Sequence, residues 1–427
     1  MLKHLLFFLL LSTPLMSQNF IQINGKHFEK AGEPYYFLGT NFWYGINLAS
    51  NGPGGDRERL LRELDRFKAL GINNLRIMAG SEGPDSEPWR MKPSLQSQPD
   101  IYNEKLLDGL DFLLSEMTKR DLHAVVCLNN FWAWSGGMAQ YVNWVSGKPI
   151  PYHHPVDGGW TKYSLYTSRF YKLKKAKALY WAHIETLINR KNTYTGKLYK
   201  DDPIIMAWQL ANEPRGMFRP RKYRRWIRET AALIKSLDTN HLVSIGSEGN
   251  TPYPIGNHFY KDHKDKNIDY LTFHIWIQNW QWYDPENPEA SFPKAFKKAA
   301  DYLEKHLAIA ERLDKPIVME EFGIARDHND HSDSASTEWR DHYFKMMFQL
   351  VYEKAKTGTA MAGCNFWAWG GEGRPSTPKA IWEPGDDFIG DPPHEFQGWY
   401  SVYENDLKTL KIIQEFTGLF EDLRFKN

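Results

Sequence analysis

Two glutamates stand where apolar runs stop abruptly at acid. Glu213 closes Trp208-Gln209-Leu210-Ala211-Asn212-Glu213-Pro214-Arg215, and Glu321 closes Pro316-Ile317-Val318-Met319-Glu320-Glu321-Phe322-Gly323. A carboxylate at the end of a buried strand is costly to desolvate unless it is paired, hydrogen-bonded or used. Positions 213 and 321 are 108 residues apart, or three strand–helix units of about 36 residues each, close to the unit length of an eightfold barrel. In such a barrel they end the fourth and seventh strands, nearly across from each other, so both carboxyls can address one bond. Two carboxylates flanking a bond form the apparatus of glycoside hydrolysis: one gives a proton to the leaving oxygen while the other attacks or activates water. Side chains alternate along a strand, so only one of Glu320 and Glu321 is expected to look into the mouth; periodicity does not say which.

The elements that must position these acids can be read from the apolar pattern. Short apolar runs at 36–39, 74–78, 124–128, 205–210, 242–245, 270–273, 316–319 and 361–366 predict eight strands. Helical spacing falls between them, as in Leu106, Leu110, Leu113 and Met117, in Tyr223, Ile227, Thr230 and Ile234, and in Phe296, Ala299, Leu303, Leu307 and Ala310. Strands apolar throughout suit a parallel sheet covered on both faces. The fold class expected is therefore α/β, a single (β/α)8 TIM barrel over residues 18–427, with long loops after strands three and eight. A doubly wound sheet is the alternative, but the first strand is followed by Gly39-Thr40-Asn41-Phe42-Trp43-Tyr44-Gly45, aromatic where a phosphate-binding loop must be small. The loops at 129–171 and 370–399 are long enough to be functional, and both leave the carboxyl ends of their strands, the active face of such barrels.

Composition narrows the partners. Lys plus Arg number 53 against 52 for Asp plus Glu, a net charge of +1, which gives no electrostatic reason to bind nucleic acid. Aromatic residues make up 15% of the chain, with 17 Trp, many in loop-like stretches. Residues 1–17 read as a secretory signal peptide: Lys3, an apolar run from Leu5 to Leu11, then small residues before Gln18. Secretion to the medium or periplasm is expected. No later run approaches the roughly 20 apolar residues of a membrane span, so no membrane association is expected after cleavage. Cys127 and Cys364 both lie in apolar runs and are read as buried free thiols.

Asn212-Glu213-Pro214 and Glu321-Phe322-Gly323, each after an apolar strand, resemble the two signature motifs of family 5 glycoside hydrolases. The resemblance implies Glu213 as acid/base, Glu321 as nucleophile, double displacement with retention, and carboxyls about 5 to 5.5 Å apart. It implies that Asn212 bonds the sugar 2-hydroxyl, that Arg76 holds the nucleophile, that His274 belongs to the site, and that Trp367 floors the cleaved subsite. Trp276 stands where the family usually has Tyr, which removes the usual tyrosine bond to the nucleophile. It also leaves Glu320 as a rim or supporting residue.

The stretch Asn129-Asn130-Phe131-Trp132-Ala133-Trp134-Ser135-Gly136-Gly137 is similar to the endo-β-1,4-mannanase subfamily, as are 200–210, 241–249 and 397–403. Asn129, Trp132, Trp134, Arg215 and Trp43 are thereby further candidates for sugar binding, since aromatic faces suit pyranose rings. The function implied is cleavage of internal β-1,4-mannosidic bonds of mannan, glucomannan or galactomannan by a monomer. Alternatives are an exo-acting β-mannosidase or mannobiohydrolase, a β-1,4-glucanase, and a silent glycan-binding barrel. No cofactor or metal is expected; His153-His154 are too close to share an ion easily, and Asp386, Asp387 and Asp391 lie in a Gly/Pro loop that could hold a structural Ca²⁺, a question the sequence leaves open.

Overall fold

The computed structural model describes residues 20–152, 159–250 and 257–425; the leader expected at 1–17 and the pair His153-His154 lie outside them. Eight parallel strands form one sheet: β1 (Phe37–Asn41), β2 (Asn74–Met78), β3 (His123–Cys127), β4 (Ile205–Gln209), β5 (Leu242–Ser244), β6 (Leu271–Ile275), β7 (Ile317–Phe322) and β8 (Met361–Phe366). Each strand pairs with its neighbour in sequence, and β8 pairs with β1. The β5–β6 seam lacks a ladder among the described residues. It is closed instead by Asp269 N–H to Val243 O at 2.8 Å, Val243 N–H to the Asp269 carboxylate at 2.6 Å, and His274 N–H to Glu248 O at 3.2 Å. The expected (β/α)8 barrel is the observed fold.

A helix follows every strand: α1 (Arg57–Ala69), α2 (Glu104–Arg120), α3 (Lys174–Ile188), α4 (Pro220–Leu237), α5 (Phe259–His263), α6 (Pro288–Leu313), α7 (Glu338–Lys356) and α8 (Leu407–Asp422). Their starts follow capping chemistry. Asp56 and Asn103 accept the first free N–H groups of α1 and α2, and α4 and α6 open on Pro, whose missing N–H costs nothing there. Their apolar stripes cover the outer face of the sheet.

Alternation along the strands sorts the interior. On β7, Ile317 and Met319 face the helices while Val318 faces the barrel axis, and on β3 Val125 does the same between Ala124 and Val126. An antiparallel hairpin, Ile21–Asn24 with His27–Lys30, plugs the amino-terminal end of the barrel. Its Phe28 packs edge-on to Tyr270 at 5.2 Å and against Phe37 at 6.4 Å. The lower interior is thus apolar and closed. The upper interior is polar, with Asn41, Arg76, Gln209, His274 and Glu320 all buried. Both cysteines are free and buried, as expected.

Phe28→Ala should cost about 3–5 kcal/mol of stability, the usual loss for emptying a large aromatic site, measured by urea unfolding. Because Phe28 lies at the end opposite Glu213, turnover per folded molecule should be unchanged.

Candidate active site

The acids arrive at the mouth through continued backbone pairing. Beyond β4, Leu210 and Ala211 donate to Ser244 O and Ile245 O, Asn212 donates to Asn129 O at 2.8 Å, and Glu213 donates to Gly246 O at 2.9 Å. The segment is therefore gripped from both sides. Gly246 has to be glycine: its φ is +79°, and a Cβ would sit 2.0 Å from Ala211 O. Glu213 itself has φ +47°, a left-handed conformation that costs an L-residue about 1–2 kcal/mol. It aims the carboxylate back over the barrel.

Glu320 takes the supporting role that was one of its two expected alternatives, but the expectation that only one of the two acids would turn inward is corrected. Phe273 pairs with Met319 but His274 pairs with Glu321, so Glu320 is an extra residue on β7 and forms a bulge. A bulge breaks the alternation, and both acids turn inward. Glu320 accepts Gln209 Nε2–H at 2.7 and 2.8 Å. Glu321 accepts from the Arg76 guanidinium, whose other nitrogens donate to Gln209 Oε1 at 2.8 Å, Asn41 Oδ1 at 3.0 Å and Asn212 Oδ1 at 2.7 Å.

His274 lies between the acids. Its Nδ1 is 2.7 Å from Glu213 and 3.2 Å from Glu321. The second oxygen of Glu213 accepts Trp132 Nε1–H at 2.7 Å. Burial opposes charge on His274, but Glu321, Glu213 and Glu320 outweigh it and raise its pKa well above 6.5. Burial likewise opposes charge on Glu213, but the His274 bond and charge, Arg215 and the Trp132 N–H pull it down to about 2. Both shifts have one physical cause, the attraction between a cationic imidazole and an anionic carboxylate 2.7 Å apart. One oxygen of each glutamate and the imidazole all lie within 4.8 Å of one another. These donors would also suit a divalent ion, but Arg76 and the Trp132 N–H already occupy the carboxylates, and an ion would have to displace them.

Above this floor opens a cleft of about 460 Å³. Of the residues singled out in the sequence, Glu213, Glu321, Asn212, Arg215, Trp132, Trp134, Trp276 and Trp367 line it. Arg76 and His274 lie beneath it. Two do not reach it. Asn129 is fully buried, its Oδ1 accepting Asn130 N–H at 2.7 Å. Trp43 is 3% exposed and donates to Gly390 O at 2.9 Å under the loop after β8. Of Trp280 and Trp282, both candidates from their position in the loop after β6, Trp280 lines the cleft and Trp282 packs on it at 4.9 Å.

Trp160, Trp399, Glu248 and Glu395 line the cleft without having been singled out. Glu248 follows β5 within a stretch already similar to the mannanases; it pairs with Arg215, and burial near Glu213 raises it to about 7. Glu395 had no signal in its Pro-rich loop. Burial together with Asp391, Glu321 and Glu213 holds its carboxyl well above the ordinary range. The loop aspartates are committed to protein donors: Asp391 accepts from Tyr400 N–H, Gly398 N–H and Ser401 Oγ, Asp387 from Arg374 N–H, and Asp386 from Glu383 N–H.

The depressed Glu213 contributes stability above about pH 4.5 that is lost as pH falls toward about 2, while the raised His274 contributes stability below 6.5 that is lost as pH rises through its folded value. The stability gap between the protein and His274→Gln should therefore be widest between pH 4.5 and 6.5 and narrow on both sides. Urea unfolding across pH measures it; a gap independent of pH would contradict this pairing.

The model of glycoside hydrolase family 5, β-mannosidase-like, matches residues 18–424. Mannan endo-1,4-β-mannosidase 5 of Solanum lycopersicum is 30% identical over 365 residues, covering 82% of this chain and 81% of that protein. Mannan endo-1,4-β-mannosidase 7 of Arabidopsis thaliana is 32% identical, covering 83% and 78%. The crystal structure of a glycoside hydrolase family 5 mannosidase from Rhizomucor miehei superposes with a TM-score of 0.88 at 41% identity, covering 96% of this chain and 99% of that one. A mutant of that mannosidase is known in complex with mannosyl-fructose. The endo-β-1,4-mannanase of Thermotoga petrophila superposes with a TM-score of 0.67 at 25% identity, covering 90% and 77%.

Proposed function

The chain belongs to the β-mannosidase-like members of glycoside hydrolase family 5, and on that premise we propose that it hydrolyses β-1,4-mannosidic bonds with retention of configuration. The observation that carries this reading is the pair of buried glutamates on the cleft floor with oxygens within 4.8 Å. Retaining enzymes keep their carboxyls about 5–5.5 Å apart, whereas inverting ones need about 6.5–9.5 Å to admit water. Glu321 attacks the anomeric carbon as the glycosidic bond breaks, and Glu213 gives its proton to the leaving oxygen. Glu213 then takes a proton from the water that hydrolyses the glycosyl ester. Glu213 receives the proton it donates from His274 Nδ1, 2.7 Å away. Asn212, fixed by Arg76, faces the sugar, and Trp367 and Trp276, perpendicular at 5.9 Å, offer apolar faces to it.

The geometry favours attack at the end of short mannooligosaccharides. The loop after β8 folds down over the end of β1, where Phe388 stacks on Tyr44 at 6.0 Å and Gly390 O receives the Trp43 N–H. The same loop projects His394, Glu395 and Trp399 into the cleft, where they would bound a sugar chain on that side. Internal cleavage, expected from the sequence, is the second reading, supported by the names of the plant relatives. The leader at residues 1–17 supports export to the periplasm or medium.

Glu321→Ala and Glu213→Ala should each lower kcat on mannotetraose by orders of magnitude while circular dichroism shows the variants still folded; full activity in either would overturn the assignment. On mannohexaose, terminal attack releases mannose or mannobiose alone from the first time points. A mixture of intermediate lengths at those points would establish internal cleavage.

A further inference from the structure

We propose that Glu320, which lies beneath the cleft and touches no substrate, is a positioning residue that keeps a proton on Nε2 of His274, so that Nδ1 is the atom exchanging a proton with Glu213. The proposal rests on the roles given above to Glu213 and Glu321. The bulge on β7 places the Glu320 carboxylate 3.7 Å from His274 Nε2. Among the described residues no group lies at hydrogen-bond distance from that nitrogen, although it is fully buried, and Glu320 is the carboxylate facing it. Gln209 donates to both Glu320 oxygens while its own oxygen accepts from Arg76 Nε, and Arg76 Nε is 3.5 Å from Glu320. The acid is thereby fixed and charged.

The other groups facing His274 act from the opposite side. Glu213 and Glu321 meet Nδ1, Arg215 and Glu248 lie beyond Glu213 as a pair, and Arg76 is bound to Glu321. Below the ring, the Tyr270 hydroxyl is kept neutral by burial and by Glu320. Once Glu213 has taken the proton and Glu321 is esterified, no charge remains on the Nδ1 side, and a negative charge on one side of an imidazole selects the tautomer protonated on that side. With Nε2 protonated, Nδ1 can carry a proton while Glu213 is ionised and accept a hydrogen bond once Glu213 has taken it. When Glu321 becomes a neutral ester, Glu320 is the charge that remains beside the ring. The raised proton affinity of His274 agrees with this placement.

The test combines Glu320→Gln with nitrogen NMR of histidine-labelled protein. Removing the charge should lower kcat on an aryl β-mannoside by about ten- to a hundredfold, part of what general acid–base catalysis supplies, with KM held within about twofold because Glu320 does not touch the sugar. The alkaline limb of the kcat profile should move down by about one pH unit, since a negative neighbour has been lost. Glu320→Asp, which restores the charge, should recover most of both. In the unmodified protein, Nε2 of His274 should remain protonated up to pH 9 and in the covalent 2-fluoromannosyl enzyme. An Nε2 found unprotonated would overturn the proposal even if Glu320→Gln fails to fold, and so would a Glu320→Gln enzyme with an unchanged profile. An unmodified protein inactive on every mannoside would instead refute the proposed function, and the NMR result would still stand as a statement about the ring.

Discussion

One guanidinium holds the mouth of this barrel together. Three carboxylates, Glu213, Glu320 and Glu321, are buried within reach of one another, and without cations among them their desolvation and repulsion would cost several kcal/mol each. Arg76 supplies the permanent charge and distributes it by geometry, contacting Asn41 on β1, Gln209 and Asn212 along β4 and its extension, and Glu321 on β7. The fork of an arginine can hold such a set in place where the single ammonium of a lysine could not. His274 supplies the second charge, conditional on a proton. The same side chains therefore hold distant strands in register and set the protonation of the site.

Regular geometry is abandoned where the chemistry is. Glu213 sits in left-handed backbone and Glu320 on a bulge. Such departures persist only where the surroundings over-determine them. Here the surroundings are the backbone bonds from the β3 and β5 loops on one side and the Arg76 network on the other. The apolar plug under Phe28 leaves the upper barrel free to be polar, because the lower half supplies the packing.

The two long loops convert a polar floor into a cleft. The loop after β3 brings Trp132, Trp134 and Trp160, and the loop after β8 brings Glu395 and Trp399. Part of the aromatic excess serves a different purpose: Trp43, Tyr44 and Trp369 are buried as anchors that pin the β8 loop to β1 and α1, with Trp369 bonding Glu63 at 2.8 Å. Aromatic content alone could not divide rings that meet sugar from rings that hold loops, since both kinds lie in loop-like sequence.

The eight strands were legible because a parallel strand covered on both faces must be apolar throughout, and that demand is local. Asn212-Glu213-Pro214 and Glu321-Phe322-Gly323 were legible because the paired-carboxylate chemistry fixes residue type at a strand end. The inward turn of Glu320 was not, because a bulge depends on the register of β6 against β7, whose residues are some 45 positions apart. Nor were Glu248 and Glu395, which become part of the site only when loops from different strands fold over one mouth. The sequence by itself determined the barrel and its two glutamates, through hydrophobic period and residue chemistry. Only the tertiary structure decided which charges surround His274, which rings line the cleft and how far the cleft extends, because those depend on distances between segments that no local pattern encodes.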